Sequence, residues 1–256
     1  MPNQKQLNMT KFFLAAVILL GSLFYSCNTV NQKQLTATVV KEDKPLVKKV
    51  LTPEERSKLT PDDILIQFKE GNEHFRTNNS TQRDHSAQII NSAVGQYPKA
   101  VVLSCLDSRV PVEDIFDQGL GDVFVARVAG NFVNEDILGS MEFACKIAGA
   151  KLILVMGHQH CGAIKGAIDD VKLGNLTSLL AKIKPAVKMS EQFEGEKNSK
   201  NENYVKLVAQ NNVRNTINNI RLNSPILKEM EEKKEIKIVG AFYTLTKGEL
   251  IFLDSQ

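Results

Sequence analysis

The chain contains 256 residues, of which 43% are apolar and 24% are charged, and its formal net charge is +3. This size and composition allow one substantial core, so a single globular domain is expected and a fibrous or low-complexity protein is excluded. Lys5 and Lys11 supply two of the positive charges, so the remainder is nearly neutral and gives no indication of binding to nucleic acid or, through basic residues, to a membrane surface.

The first 26 residues have the pattern of a secretory signal peptide. A weakly basic start precedes an apolar run over residues 12–25. This run is shorter than the roughly 20 residues that span a bilayer, but it has the length of a signal h-region. We therefore predict that residues 1–26 are a signal peptide and that the protein is exported to the periplasm or envelope of a bacterium.

Cys27 directly follows Ser26 at the end of this apolar run. A cysteine after a small residue at this place resembles the lipobox of bacterial lipoproteins, although Phe24 and Tyr25 depart from its usual residues. We predict that Cys27 is lipidated and that this anchor is the protein's only membrane attachment. An ordinary cleaved signal with an incidental cysteine is the alternative.

A polar, lysine-rich segment separates the signal from the domain. It has few aromatic residues and no sustained hydrophobic period, which indicates a flexible tether over residues 27–59. Thr60 and Pro61 then have the features of an N-cap and a first helical residue, and acidic residues follow in the first turn. We predict a helix from this point through Phe75, which begins a domain over residues 60–256.

Within this domain, predicted strands alternate with helix-like stretches. Short apolar runs rich in β-branched residues predict strands over residues 100–104, 123–128 and 152–156. Strand and helix in alternation imply an α/β fold, in which helices flank a parallel-centred sheet.

The C-terminal part of the domain is predicted to be helical and then to return to the sheet. Helices are expected over residues 176–187 and 204–221, with a polar insert at 191–203 between them. Residues 236–245 and 249–253 flank a Lys-Gly turn, which predicts a hairpin whose first strand extends the sheet.

Two cysteines and one histidine follow the predicted strands. Cys105 comes after the first run, and His158 and Cys161 come after the third, where open parallel sheets place ligand sites. Two sulfurs and one imidazole suit zinc, and three protein ligands leave a fourth tetrahedral position for solvent, as in catalytic sites. A purely structural zinc site is the alternative, which the missing fourth protein ligand disfavours.

Asp107 and Arg109 alternate with Cys105, so in an extended segment all three side chains would project to one side. Arg109 is expected to hold Asp107 ionised through a bidentate pair. Asp107 would then accept a hydrogen bond from a zinc-bound hydroxide, which the metal makes available near neutral pH. The sequence thus predicts metal-assisted chemistry on water.

The remaining cysteine and histidines have plainer interpretations. Cys145 lies in a helix-like stretch and is most simply a small buried apolar residue. His160 is expected at the rim of the pocket rather than on the metal, and His74 and His85 are expected to be solvated at a helix end and in a polar loop.

Three separated motifs resemble the signature segments of β-class carbonic anhydrases, in the same order. The resemblance runs from about Gly71 to Leu253 and is carried by Cys105-x-Asp107-Ser108-Arg109, Ala129-Gly130-Asn131 and Gly157-His158-x-x-Cys161-Gly162-Ala163. It implies zinc-dependent, reversible hydration of carbon dioxide to bicarbonate and a proton. By the same resemblance, the zinc ligands are Cys105, His158 and Cys161, and the catalytic dyad is Asp107 with Arg109.

The resemblance also extends to substrate binding and assembly. Gly95-Gln96-Tyr97-Pro98 matches a segment whose glutamine contacts bicarbonate across a dimer interface, so Gln96 is expected to bind substrate and the protein to be a homodimer or a tetramer of two dimers. The main chain at Gly130 is expected to border the substrate pocket.

Some alternatives remain open within this resemblance. In one subgroup the aspartate moves onto zinc, together with a bicarbonate pocket that uses a tryptophan, and this chain has none. The open form, with Asp107 on Arg109, is therefore expected, and ligation of zinc by Asp107 at low pH is left open. The same scaffold could hydrolyse carbon disulfide or carbonyl sulfide, or serve as a non-catalytic zinc-binding surface lipoprotein.

Overall fold

The computed structural model describes residues 45–253, and the predicted signal peptide and Cys27 lie outside the described residues. The helices are α1 (Pro53–Lys58), α2 (Pro61–Arg76), α3 (His85–Ser92), α4 (Val112–Ile115), α5 (Glu135–Glu142), α6 (Gly162–Ile168), α7 (Gly174–Ala181), α8 (Lys184–Lys188), α9 (Glu202–Asn223) and α10 (Pro225–Glu232). The strands are β1 (Ala100–Ser104), β2 (Val123–Arg127), β3 (Leu152–His158), β4 (Lys237–Thr244) and β5 (Glu249–Leu253). A π-helical turn, Phe143–Ile147, extends α5.

The strands form one sheet in the order β2-β1-β3-β4-β5. The first four are parallel, and β5 returns antiparallel to β4 as the predicted hairpin. This arrangement confirms the predicted α/β fold with a parallel-centred sheet. Within residues 45–253, no helix has the length and apolar character needed to cross a membrane.

The two central strands, β1 and β3, are buried along their whole length. Parallel strands covered on both faces are expected to read as continuous apolar runs, as these do. Alternate residues supply two separate cores. One face packs against α9 and α10 through Val101, Leu103, Ile153 and Val155, and the other packs against α2 and α4 through Val102, Leu154 and Met156.

The helix predicted from Thr60 is present as α2. Thr60 and Asp63 form a reciprocal capping box, and Pro61 occupies the first turn, where a missing N–H group costs nothing. The buried side chains of this helix include Ile64 and Phe68, whose i,i+4 spacing places both on the face that covers the sheet.

The compact unit of the chain begins at Pro45, within the predicted tether of residues 27–59. Thr52 and Glu55 form a second capping box that starts α1. Lys151 Nζ donates to the carbonyl oxygen of Leu59 at 2.6 Å, and Arg56 donates to that of Ala148. A Thr-Pro pair thus begins a helix twice, at Thr52 and at Thr60, and the predicted domain began only at the second of these helices.

Three further details differ from the sequence-based expectations. The helix predicted over residues 176–187 is divided into α7 and α8, because Pro185, in the first turn of α8, lacks the N–H group that would continue the first helix. His85 is the first residue of α3, which Asp84 caps, rather than part of a loop. His158 is the last residue of β3 rather than the second residue after it.

Candidate metal centre

Cys105, His158 and Cys161 come together at the carboxyl ends of β1 and β3. These strands are direct neighbours, with Ser104 paired to Met156, so the residues that end them lie side by side. Cys161 precedes the first residue of α6 and turns back toward the same edge. One ligand atom from each of the three side chains lies within 4.8 Å of the other two, and all three residues are buried.

The two sulfur atoms are 3.8 Å apart, far beyond the roughly 2.05 Å of a disulfide. Their contact lowers the pKa of Cys105, against the opposing effect of burial, and hydrogen bonds from backbone N–H groups lower it further. The same contact and burial raise the pKa of Cys161. Cys105 is therefore the more acidic thiol of the pair, and a soft divalent cation bound by both sulfurs would displace their protons.

His158 presents one ring nitrogen to the two sulfurs. Its Nδ1 lies 2.9 Å from the carbonyl oxygen of Gln159, which is an acceptor only, so Nδ1 carries the proton and donates. Nε2 is then a free acceptor, and it is buried without a hydrogen-bond partner among the described residues. Because buried polar atoms are normally partnered, this orphaned nitrogen fits a metal ligand.

Asp107 lies beside this cluster and is held by Arg109. Its Oδ1 accepts from the Arg109 backbone N–H at 3.0 Å and from Nε at 2.9 Å, and its Oδ2 accepts from Nη2 at 2.7 Å. These hydrogen bonds hold the pKa of Asp107 well below its usual range. Oδ2 is also 3.9 Å from His158 Nε2, so an ionised carboxylate borders the position on which the ligand atoms converge.

Gly130 contacts Cys105 through its main chain. Its N–H group donates to Cys105 Sγ at 3.3 Å, which places a hydrogen-bond donor on a candidate metal ligand. The residue has a φ of +83°, and an added Cβ would lie 2.4 Å from Cδ1 of Ile183. Both the backbone conformation and the lack of space require glycine here.

Arg127 has a role at this site that the sequence motifs did not indicate. It is the last residue of β2, and it donates from Nε to the carbonyl oxygen of Cys105 at 2.9 Å and from Nη2 to that of Asp107 at 2.6 Å. Its position was the available signal, because the carboxyl end of β2 lies at the same sheet edge as Cys105.

Gln96 does not reach this cluster within one chain. It is exposed and precedes β1, where it lies near Leu120 and Gly121 at the amino-terminal edge of the sheet. Cys105 follows the other end of β1. This strand has five residues and is roughly 16 Å long, so it separates Gln96 from Cys105.

Two histidines can be compared with their predicted surroundings. His160 and Glu202 line a cavity of about 310 Å³ next to His158, with His160 Nδ1 3.9 Å from Glu202 Oε1. His74 is exposed as predicted, with 47% of its side chain accessible to solvent, and its Nδ1 also pairs with Asp117 Oδ2 at 3.0 Å. The sequence did not predict this pair, because Asp117 comes from a loop 43 residues away along the chain.

The fold and this cluster can now be compared with known proteins. A family model described as carbonic anhydrase matches residues 100–250. "Carbonic anhydrase 2" of Mycobacterium tuberculosis is 35% identical over 196 residues, which cover 73% of this chain and 90% of that protein. The chain therefore belongs to the carbonic anhydrase family.

Solved structures specify the class within this family. One of the tetrameric β-carbonic anhydrases of Sordaria macrospora is 28% identical, with a TM-score of 0.56 over 63% of this chain and 83% of that one. The Coccomyxa β-carbonic anhydrase in complex with acetazolamide is 25% identical, with a TM-score of 0.59 over 66% of this chain and 77% of that one. The family concerned is the β class.

Proposed function

We propose that this protein catalyses the zinc-dependent, reversible hydration of carbon dioxide to bicarbonate and a proton. The observation that carries the proposal is the position of Asp107, whose carboxylate lies 3.9 Å from the free nitrogen of His158 while Arg109 holds both of its oxygens. An ionised acceptor beside a Cys/His/Cys cluster can orient a water molecule that a metal held by the cluster would activate.

Cys105, His158 and Cys161 would hold the zinc ion. Two thiolates and one neutral imidazole match the donors that zinc prefers, and three ligands leave one position for the reaction. When bound, zinc would supply a Lewis acid that makes water nucleophilic near neutral pH. Apolar side chains surround the cysteines and keep bulk water from the ligands; they include Phe132, Ile164, Val205 and Phe242.

Asp107 and Arg109 perform the proton-handling part of the reaction. The Asp107 carboxylate stays ionised, accepts a hydrogen bond from the attacking water and thereby aims the oxygen lone pair at the substrate carbon. Arg109 fixes the direction of both carboxylate oxygens. The main chain at Gly130 borders the same space, and the proton released by the water passes to buffer.

The substrate pocket is completed by a second copy of the chain, so the working unit is a homodimer or a tetramer of two dimers. Gln96 binds bicarbonate in the partner's site, because in its own chain β1 separates it from Cys105. An open groove of about 700 Å³ beside the edge strand β2 supports such an interface, since its lining includes Phe124 and the half-exposed Phe143.

We further propose that the protein is an exported lipoprotein of the periplasm or envelope. The apolar run at residues 12–25 and Cys27 directly after Ser26 support this location. Metabolic labelling with a radioactive fatty acid should mark the wild-type chain and leave Cys27→Ser unlabelled. Labelling of both chains, or of neither, would contradict the anchor.

A stopped-flow assay of carbon dioxide hydration, with zinc determined on the same sample, tests the activity. Zinc near one per chain with rapid hydration that a chelator abolishes is the expected result. Full zinc without hydration would contradict the proposed reaction, and turnover of carbonyl sulfide in the same sample would replace it.

Mixing two inactive variants tests the role of Gln96. If Gln96 acts on the partner's site, a mixed dimer of Gln96→Ala and Asp107→Asn contains one site with both native residues and regains activity. If Gln96 acts within its own chain, both sites of the mixed dimer carry a defect and no activity returns.

A further inference from the structure

Helix α9 passes directly behind the loop that contacts Cys105. Asn212 in this helix is completely buried, and its Nδ2 donates to the carbonyl oxygen of Gly130 at 2.7 Å. One turn further along, the buried Thr216 donates from Oγ1 to the carbonyl oxygen of Asn131 at 3.2 Å. Two side chains of one helix thus hold two consecutive carbonyl groups of the loop.

The loop needs such support because of its backbone conformation. Gly130 and Asn131 both have positive φ angles, +83° and +40°. Non-glycine residues rarely adopt this region, and it persists only where the surroundings enforce it. The result of this conformation is that the Gly130 N–H group points at Cys105 Sγ, while the following carbonyl groups point at α9.

Asn212 is an unfavourable choice for stability alone. Its Oδ1 is buried without a hydrogen-bond partner among the described residues, so one of its two polar ends is unsatisfied. A buried amide with one unsatisfied end stabilises the fold less than an apolar side chain of similar shape. Its presence here therefore indicates a specific task. The task visible in the structure is the 2.7 Å hydrogen bond to Gly130.

We propose that Asn212 is a positioning residue of the metal centre, and that Thr216 assists it. By fixing the Gly130 carbonyl oxygen, Asn212 keeps the Gly130 N–H group on Cys105 Sγ, where it withdraws electron density from the ligand sulfur. The inference rests on the zinc site of the proposed function, and it assigns a ligand-tuning role to a helix that supplies none of the candidate ligands.

The test compares variants that remove a donor with variants that retain one. Asn212→Ala and Thr216→Val each remove one hydrogen bond to the loop, and Thr216→Val does so with little change of shape. Thr216→Ser retains the hydroxyl group. Asn211→Ala is the matched control, because Asn211 is the adjacent buried residue in α9 but donates to Ser190 Oγ at 2.9 Å, away from the loop.

Two readouts are independent of turnover. The zinc affinity is measured by competition with a chromogenic chelator, and the thiolate-to-metal charge-transfer band is recorded after substitution with Co²⁺. We expect Asn212→Ala and Thr216→Val to bind zinc about 10- to 100-fold more weakly and to shift the band to longer wavelength, because the Cys105 sulfur loses a donor. Thr216→Ser and Asn211→Ala should keep the wild-type band.

Folded Thr216→Val and Asn212→Ala proteins with wild-type zinc affinity and an unshifted band would overturn the proposal. Thr216→Val alone decides the matter if Asn212→Ala fails to fold. Carbon dioxide hydration by the wild-type chain is measured in parallel. Normal hydration with unchanged variants refutes only the positioning role, whereas shifted variants of a wild-type protein that binds zinc without hydrating carbon dioxide refute only the proposed reaction.

Discussion

Arg127 donates a hydrogen bond from Nη2 to the main-chain carbonyl oxygen of Asp107 at 2.6 Å. Through Nε it also holds the carbonyl oxygen of Cys105, so one guanidinium fixes the segment that carries both a candidate ligand and the candidate catalytic carboxylate. Arg127→Gln should therefore lower kcat/KM for carbon dioxide hydration by about 10- to 100-fold, because the segment loses its charge-assisted hydrogen bonds. Stopped-flow kinetics at matched zinc content measure the effect.

Arg76→Gln is the control for this substitution. Arg76 pairs with Glu73 of the same helix and not with the Cys105–Asp107 segment, so its loss should leave kcat/KM within about twofold of the wild type. Equal kinetics for the two variants would show that the Cys105–Asp107 segment holds its position without Arg127.

Asp107→Asn separates the carboxylate from the metal ligands. The variant keeps Cys105, His158 and Cys161, so it should still bind about one zinc per chain. The neutral amide cannot act as the ionised acceptor, and the loss in kcat should be roughly 100- to 10,000-fold. Zinc analysis and stopped-flow hydration on one sample give both quantities. Asp114→Asn, an exposed change in α4, should match the wild type, and near-normal turnover by Asp107→Asn would refute the dyad.

The parallel sheet and the meeting of the three candidate ligands could be predicted from the sequence because both depend on local patterns. Apolar runs locate β1 and β3, and residues that follow adjacent parallel strands must lie at one edge. Arg127 could have been found by the same rule.

Asn212 gave no such signal, because a polar residue in a helix is ordinarily exposed and its burial depends on which face α9 turns to the loop at Gly130. The pairing of His74 with Asp117 was likewise hidden, since it joins a helix end to a distant loop. These features depend on tertiary packing and not on local sequence.

Two of the three buried cysteines among the described residues, Cys161 and Cys145, should respond oppositely to replacement by alanine. Cys161→Ala removes a candidate ligand and should lose the metal, together with the stability that metal binding adds to the folded state. Cys145 belongs to the π-helical turn, and its side chain packs in the hydrophobic core. Burial there raises the pKa of its thiol to about 12, so it is a packing residue. Cys145→Ala should retain zinc and hydration at a cost of about 1 kcal/mol.

Zinc content and urea unfolding distinguish these outcomes. A Cys161→Ala protein that still binds zinc with wild-type affinity would remove Cys161 from the ligand set. Loss of zinc from both variants would instead indicate that the change in Cys145 disturbs the sheet as a whole.

Asp117 should give the fold a pH-dependent contribution. Burial raises the pKa of this carboxyl, but hydrogen bonds from Arg83, Thr81 and His74 outweigh burial and leave the pKa below its ordinary value. A lowered folded-state pKa stabilises the protein above the unfolded value of about 3.9, and this stability is lost as the pH falls through the folded value. Asp117→Asn should therefore be about 1–3 kcal/mol less stable than the wild type at neutral pH.

The difference between the two proteins should shrink as the pH falls below about 4. Asparagine has the same shape and tolerates the positive φ of 51° at this position, so the comparison isolates the charge. Urea unfolding from pH 7 to pH 3 measures the difference, and a gap of constant size across that range would contradict the assignment.

Gly130 and Gly139 should respond oppositely to alanine. At Gly130 the φ of +83° disfavours any Cβ, and Cδ1 of Ile183 would lie 2.4 Å away, so Gly130→Ala should cost about 2–5 kcal/mol and weaken zinc binding through the displaced N–H group. Gly139 lies within α5 beside the open groove at β2, and an added Cβ would meet no atom of its own chain within 4 Å. Gly139→Ala should therefore raise the free energy of unfolding of the single chain by about 0.5–1 kcal/mol through helix propensity. Urea midpoints and chelator competition measure both variants. The added methyl group cannot be accommodated while the loop, Ile183 and the hydrogen bond to Cys105 Sγ all keep their places. A stable Gly130→Ala protein with unchanged zinc affinity would therefore mean that the loop can move away from Cys105 without consequence.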